Sequence, residues 1–213
     1  VWHRPEMFHE PGMFAALYIK DVPNGAKVLE GPVPDWRKFG MPNYGTGGSM
    51  GSILGLPRFD TAEFEARFPF GKVSLTDKEM PVRVTVLGWS PFIPGDPDNS
   101  SLPVGGLEYV LENTSTKPQE MIFSYHARNF LSWGKGVDAI KVMPHGFVLS
   151  QAGTEAEPHL QGDFAIFTDE DSPKINYCWF RGGWFDSLTM VWNAIESGLM
   201  PQSPAVEKGA PGA

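Results

Sequence analysis

Cysteine is almost missing from this chain. Cys178 stands alone among 213 residues, so no internal disulfide can form. The compartment stays open, because a domain of this length buries a full core without one. Cys178 sits in the apolar run Ile175-Asn176-Tyr177-Cys178-Trp179-Phe180, where a buried, inert thiol is expected. Positive charge is also short: 17 Lys and Arg stand against 25 Asp and Glu, giving a net charge of −8. That balance argues against nucleic acid and anionic lipid as general partners, since both need a basic surface. No apolar run approaches the roughly 20 residues of a membrane-spanning helix. The chain opens on Val1 with no charged-then-apolar leader, so no targeting segment is visible and localisation stays open. The five histidines (His3, His9, His126, His145 and His159) lack metal-ligand spacing, and neither metal nor cofactor is expected.

What the chain does have is punctuation. It holds 24 Gly and 20 Pro, with 41% hydrophobic and 20% charged residues, the profile of a turn-rich β protein. Phe64, Ala66 and Phe68 alternate with Glu63, Glu65 and Arg67, and Val82, Val84 and Val86 alternate with Arg83, Thr85 and Leu87. A period of two is what a strand with one buried face requires. Strands are expected at Met13–Lys20, Ala26–Glu30, Thr61–Phe68, Lys72–Thr76, Pro81–Trp89 and Gly105–Asn113. Others are expected at Glu120–Phe130, Lys141–Val148, Asp163–Thr168 and Lys174–Phe180. Between them, 31–56 is a long Gly/Pro-rich loop carrying Trp36, Phe39 and Tyr44, and loops of that length are usually functional or mobile. Trp184, Leu188, Val191, Trp192 and Ile195 fall at helical spacing, with Asp186 as N-cap and Gly198 as the stop. The fold class is mainly β, an antiparallel, supersandwich-like β-sandwich with one helix near the C-terminus. Residues 1–200 read as a single domain, and 201–213 as a flexible tail or a break in a longer chain.

Candidate chemistry is sparse. Asp169-Glu170-Asp171 could be imagined as acid/base carboxylates, but it occupies a hairpin turn where charges are simply hydrated. Gly45-Thr46-Gly47-Gly48-Ser49-Met50-Gly51 looks like a phosphate loop yet lacks the GK[ST] ending and a strand–helix setting, so a plain loop is the better reading. Asn99-Ser100-Ser101 and Asn113-Thr114-Ser115 match glycosylation acceptors, though Asn99 and its serines suit a turn equally well. Trp89, Trp133, Trp179, Trp184 and Trp192 could each stack on a sugar ring or pack in a core or interface. Trp36, in the long loop, is the one candidate for contact with a ligand or partner domain.

One segment is distinctive. Trp89-Ser90-Pro91-Phe92-Ile93-Pro94-Gly95-Asp96-Pro97-Asp98-Asn99-Ser100-Ser101-Leu102-Pro103-Val104 combines backbone-fixing prolines, turn residues, and two large apolar side chains that a solvated turn would not carry. Together with Phe68-Pro69-Phe70-Gly71, Asp77 and Met80-Pro81-Val82, this run resembles the N-terminal region of glycoside hydrolase family 116. That is the family of bile-acid β-glucosidase and non-lysosomal glucosylceramidase, and the resemblance runs from about Phe14 to about Ile195. It implies a β-sandwich that precedes a separate (α/α)6 catalytic domain in the same polypeptide, with further strands after this span. The catalytic carboxylates of a retaining β-glucoside hydrolase would lie in that second domain, so no catalytic residue is expected here. The expected role is to brace the catalytic domain, with carbohydrate or glycolipid as a further partner of the whole. The alternative is a self-standing carbohydrate-binding or cell-surface sandwich. Within the loop, Phe92 and Ile93 are expected to be buried anchors.

Overall fold

The computed structural model describes residues 12–34, 53–132 and 138–213. Ten strands form three antiparallel sheets. The first sheet joins β1 (Met13–Ile19), β2 (Ala26–Val28) and β7 (Met121–Ala127) in the order β2-β1-β7. The second is a meander of β3 (Thr61–Arg67), β4 (Phe70–Thr76), β5 (Val82–Trp89) and β6 (Gly106–Asn113). The third joins β8 (Asp138–Met143), β9 (Gly146–Gln151) and β10 (Gly162–Phe167), with β9 central. Helices are few: α1 (Pro97–Ser100) and α2 (Ser187–Glu196), with single 3-10 turns at Ile53–Gly55 and Pro158–Leu160. The mainly antiparallel β class and the single sizeable helix near the C-terminus are as the sequence implies.

The first sheet is covered on both faces, which is why β1 reads as an almost unbroken apolar run. Phe14 and Ala16 face Leu188, Val191, Trp192 and Ile195 of α2 in one buried cluster. Ala15, Leu17 and Ile19 face Leu75, Val82 and Val84 of the second sheet in another. The Asp186 carboxylate caps α2, accepting from the Thr189 N–H at 2.8 Å, and Gly198 ends it at φ +64°. A third cluster holds Ile140, Phe147 and Leu149 of the third sheet against Ala127, Cys178, Ala210 and Ala213.

Two contacts fix how the first sheet lies on the second. Lys27 of β2 donates to Asp77, in the β4–β5 turn, at 2.6 Å with both side chains nearly buried. Phe123 of β7 meets Tyr109 of β6 with ring centroids 4.9 Å apart. The succession β2, β1, β7 therefore advances from the turn end of the second sheet toward its loop end, as in crossed sheet packing.

Four expectations need correction. Lys141–Val148 is not one strand: Pro144 and His145 (φ +57°) turn the chain between β8 and β9. Lys174–Phe180 forms no sheet ladder; it is fastened singly, Tyr177 N–H to Ser203 O at 3.0 Å and Trp179 N–H to Gly212 O at 2.9 Å. A flexible tail does not describe the end of 201–213, where Ala210 and Ala213 are buried and Ala213 exchanges hydrogen bonds with Ala127. The alternation of β3 does mark a strand, but every residue of it is exposed, because it is an edge strand whose apolar face receives little cover among the described residues beyond Gly31 against Ala62.

Candidate functional site

The connection from β5 to β6 is held by its own polar side chains. Asp96 caps α1, accepting from the Asn99 N–H at 3.0 Å and from Asn99 Nδ2 at 2.5 Å. Those Asn99 hydrogen bonds hold the Asp96 carboxyl below the usual carboxylate range. Ser100 Oγ accepts from the Ile93 N–H at 2.9 Å and donates to Ile93 O at 3.1 Å, while Ser101 Oγ donates to Pro97 O at 2.6 Å. Asn99, Ser100 and Ser101 are thus turn formers, and the prolines limit the alternatives open to the unfolded loop.

This fastened loop turns its apolar residues outward. Phe92 is 47% exposed and Ile93 50%, so the expectation that both are buried anchors fails. The reason lies in the sheet below: the first sheet stops at β7, and nothing among the described residues extends far enough to cover them. Phe92 meets Phe68 in a T-shaped pair, centroids 4.7 Å apart at 73°, and Phe68 is itself 77% exposed. Phe70, Trp89, Leu102, Val104 and Leu107 are exposed at the same end. Phe70 and Trp89 lie on the outer face of the sheet and Leu107 on its inner face, and exposed apolar residues gathered at one end in this way suit an interaction site.

On the outer face of the sheet the same end carries a flat aromatic. Trp89 and Gly106 are cross-strand partners, and a Cβ at Gly106 would come within 2.4 Å of the Trp89 ring. The indole therefore lies against the Gly106 backbone, with room that only glycine leaves. Phe70 is its partner on the other side, followed by Arg67, and the next row holds Glu65, Lys72, Leu87 and Glu108. A shallow cleft of about 550 Å³ lies over Glu65, Arg67, Phe68, Phe70, Lys72 and Leu87. Its floor is apolar and its rim carries both signs of charge, an arrangement that can stack and hydrogen-bond a pyranose or seat a protein surface. The Lys72–Glu65 pair, 3.8 Å apart and exposed, fixes little.

The other sequence candidates scatter. Trp36 and Trp133 lie outside the described residues, as do His3, His9 and the 45–51 glycine run. Trp179 and Trp192 are core residues, whereas Trp184 is 95% exposed and precedes the helix that its spacing suggested. Asp169, Glu170 and Asp171 are exposed in the turn after β10. Asn113 folds back on its own turn, donating to Lys117 O at 2.7 Å. Cys178 is buried, and desolvation raises its thiol against a smaller opposing effect of Arg181. His126 stacks on Phe14 at 4.9 Å, and burial pushes its pKa down to about 4. Among the described residues no three His, Cys, Asp or Glu side chains gather to hold a metal, and no helix is long and apolar enough to cross a membrane. What sequence reading missed is Phe64, Phe70 and Leu107 as exposed residues; period-two alternation reports a shared face, not whether anything covers it.

Residues 11–212 match the family described as beta-glucosidase 2, glycosyl-hydrolase family 116 N-term. The chain belongs to this family. The match takes in the Trp89–Val104 loop, all ten strands and α2, so the family 116 N-terminal domain is what the sheets above build. No curated protein matches the sequence.

Proposed function

We propose that this chain is the non-catalytic N-terminal β-sandwich of a family 116 glycosyl hydrolase, and that it braces a separate (α/α)6 catalytic domain acting on β-glucosides. The observation that carries the reading is the family match over residues 11–212. The loop end of the second sheet agrees with it: a self-fastened loop holds Phe92, Ile93, Leu102 and Val104 outward, as a docking face between domains needs. A preordered loop loses little further entropy on contact. The test is hydrolysis of an aryl β-glucoside. The intact polypeptide should turn it over, and residues 1–213 alone should not. Turnover by the 213-residue chain, lost on replacing one of its own acidic residues, would refute the non-catalytic role.

A second reading, a carbohydrate-binding module, draws on Trp89 lying over Gly106 beside Phe70 and Arg67. It requires a glucan oligosaccharide to bind with Trp89 in contact. Titration calorimetry on Trp89→Ala separates the two, since only the second reading expects sugar binding that this substitution abolishes.

A further inference from the structure

We infer that the outer face of the third sheet carries a ligand site of its own, a small polar cleft that takes one neutral sugar ring through Asp163, Lys141 and Gln161. The site stands apart from the loop end and from the cleft beside Trp89, and it goes beyond the bracing role proposed above.

Period two divides the third sheet into two faces. Ile140 and Leu149 pair on one face and are buried in the core cluster. Ala139, Ser150 and Asp163, which pair across the three strands, therefore form a row on the other. Lys141, two residues beyond Ala139, stands in the next row opposite Val148. Its ammonium reaches the Asp163 carboxylate at 3.1 Å, so the ion pair spans the central strand from one edge strand to the other. Ser150, between them on β9, is only 6% exposed, and its hydroxyl bonds the Asp163 carboxyl. That bond first, and Lys141 after it, hold the carboxyl below the ordinary range against desolvation. Asp163 is thus an ionised acceptor, and a carboxylate has more lone pairs than these two partners use.

A cleft of about 330 Å³ lies over this row, at the lower end of the range for small-ligand sites. Its wall is the β9–β10 connection. A Cβ at Gly153 would come within 3.0 Å of Pro158 O and 3.3 Å of Gln161 Cβ, so the connection closes on itself there. Thr154 Oγ1 accepts from the Glu157 N–H at 3.0 Å, and Gln151 Nε2 donates to Leu160 O at 3.1 Å. The wall is therefore ordered before any ligand arrives, which lowers the cost of binding. The lining offers one carboxylate, one ammonium and the Gln161 amide, a set with no net charge. An anion meets Asp163 and a cation meets Lys141, so neither is favoured. Adjacent hydroxyls fit all three groups, since each can donate to the carboxylate and accept from the ammonium or the amide. Ala139 and Gly153 are small, which leaves room for the carbon face of a ring. Stability does not account for the arrangement, because Lys141 and Asp163 are exposed and such pairs contribute little.

NMR titration of the 213-residue chain tests this, with D-glucose, D-galactose and D-mannose as probes and acetate and methylammonium as ionic controls. At least one sugar should shift the Ala139, Ser150, Gly153 and Asp163 amide signals saturably at millimolar concentration. Asp163→Asn and Lys141→Met should each weaken that binding about tenfold or more, the worth of a charged hydrogen bond. An unchanged melting temperature shows that a variant keeps its fold, and should Asp163→Asn not fold, the exposed Gln161→Ala takes its place. No response to any of the three sugars overturns the proposal. So does tighter binding of acetate or methylammonium than of every sugar. Sugar binding that Trp89→Ala abolishes and Asp163→Asn leaves intact belongs to the cleft on the second sheet, and it overturns this site too. None of these results depends on glucoside hydrolysis, so a failure here leaves the bracing role standing.

Discussion

The second sheet has two ends built from the same four strands, and they behave oppositely. At the turn end Leu75 and Val84 are fully buried, Met80 and Val82 nearly so, and Lys27 is sealed against Asp77. At the loop end Phe64, Phe68, Phe92, Ile93 and Leu107 are all exposed, none by less than 47%. Composition does not separate them, for both are rich in large apolar residues. What differs is how far the neighbouring sheet reaches. Burial belongs to the pair of sheets, and a strand pattern records only one partner.

The comparison fails if large apolar residues cost the same at both ends. Phe59 is 1% exposed, inside the cluster that joins the sheets. Phe59→Ala should lower stability by about 3–5 kcal/mol, and Phe92→Ala by no more than about 1 kcal/mol, the worth of an aromatic edge contact. Thermal or urea unfolding of the two variants decides it, and a Phe92→Ala loss near that of Phe59→Ala would erase the distinction.

Charge sharpens it next. Burial pushes the Asp77 carboxyl up, but hydrogen bonds from Lys27 and from the Glu79 and Asp60 backbone outweigh that and hold it below the ordinary range. Lys27→Met should cost about 3–5 kcal/mol, since it strands a buried carboxylate. A folded-state pKa below the unfolded one means stability present above the unfolded value of about 4 and lost as pH falls through the folded one. The variant should therefore lose much of its acid sensitivity in pH-dependent melts.

His126 extends the contrast to milder acid. Its pKa of about 4 lies below the ordinary 6.5 because it is desolvated. The unfolded chain takes up the proton first, so stability is complete above about 6.5 and falls between there and about 4, by about 3 kcal/mol. His126→Gln should flatten that stretch of the profile.

The smallest expected effect is at the loop end. Gly106→Ala must lift the Trp89 indole off the backbone, a surface rearrangement of about 1 kcal/mol, within the usual range of point substitutions. Trp89 fluorescence should shift with hardly any change in melting temperature. A loss as large as that of Phe59→Ala would place Trp89 in the structural core.

Much of this was legible in sequence. Alternation in Val82–Val86 and spacing at Leu188, Val191, Trp192 and Ile195 located a strand and a helix, and Asp186 and Gly198 bounded the helix, because periodicity and caps are local. The Trp89–Val104 run identified the family. Pro144 and His145 hid a hairpin, since a left-handed histidine has no strong signature. Lys174–Phe180 looked like a strand because an apolar run reports burial, and burial here comes from the residues around Ala210 and Ala213 rather than from a sheet.

The sequence by itself determined the β class, the helix, the family and the turn chemistry that fastens the Trp89–Val104 loop. Each is a property of neighbours in the chain. Only the tertiary structure decided that Phe92 and Ile93 face outward, that Trp89 lies on Gly106, and that the last residues pair with β7. Those outcomes depend on where one sheet ends over another, and that is set by contacts between segments far apart in sequence, which no local pattern encodes.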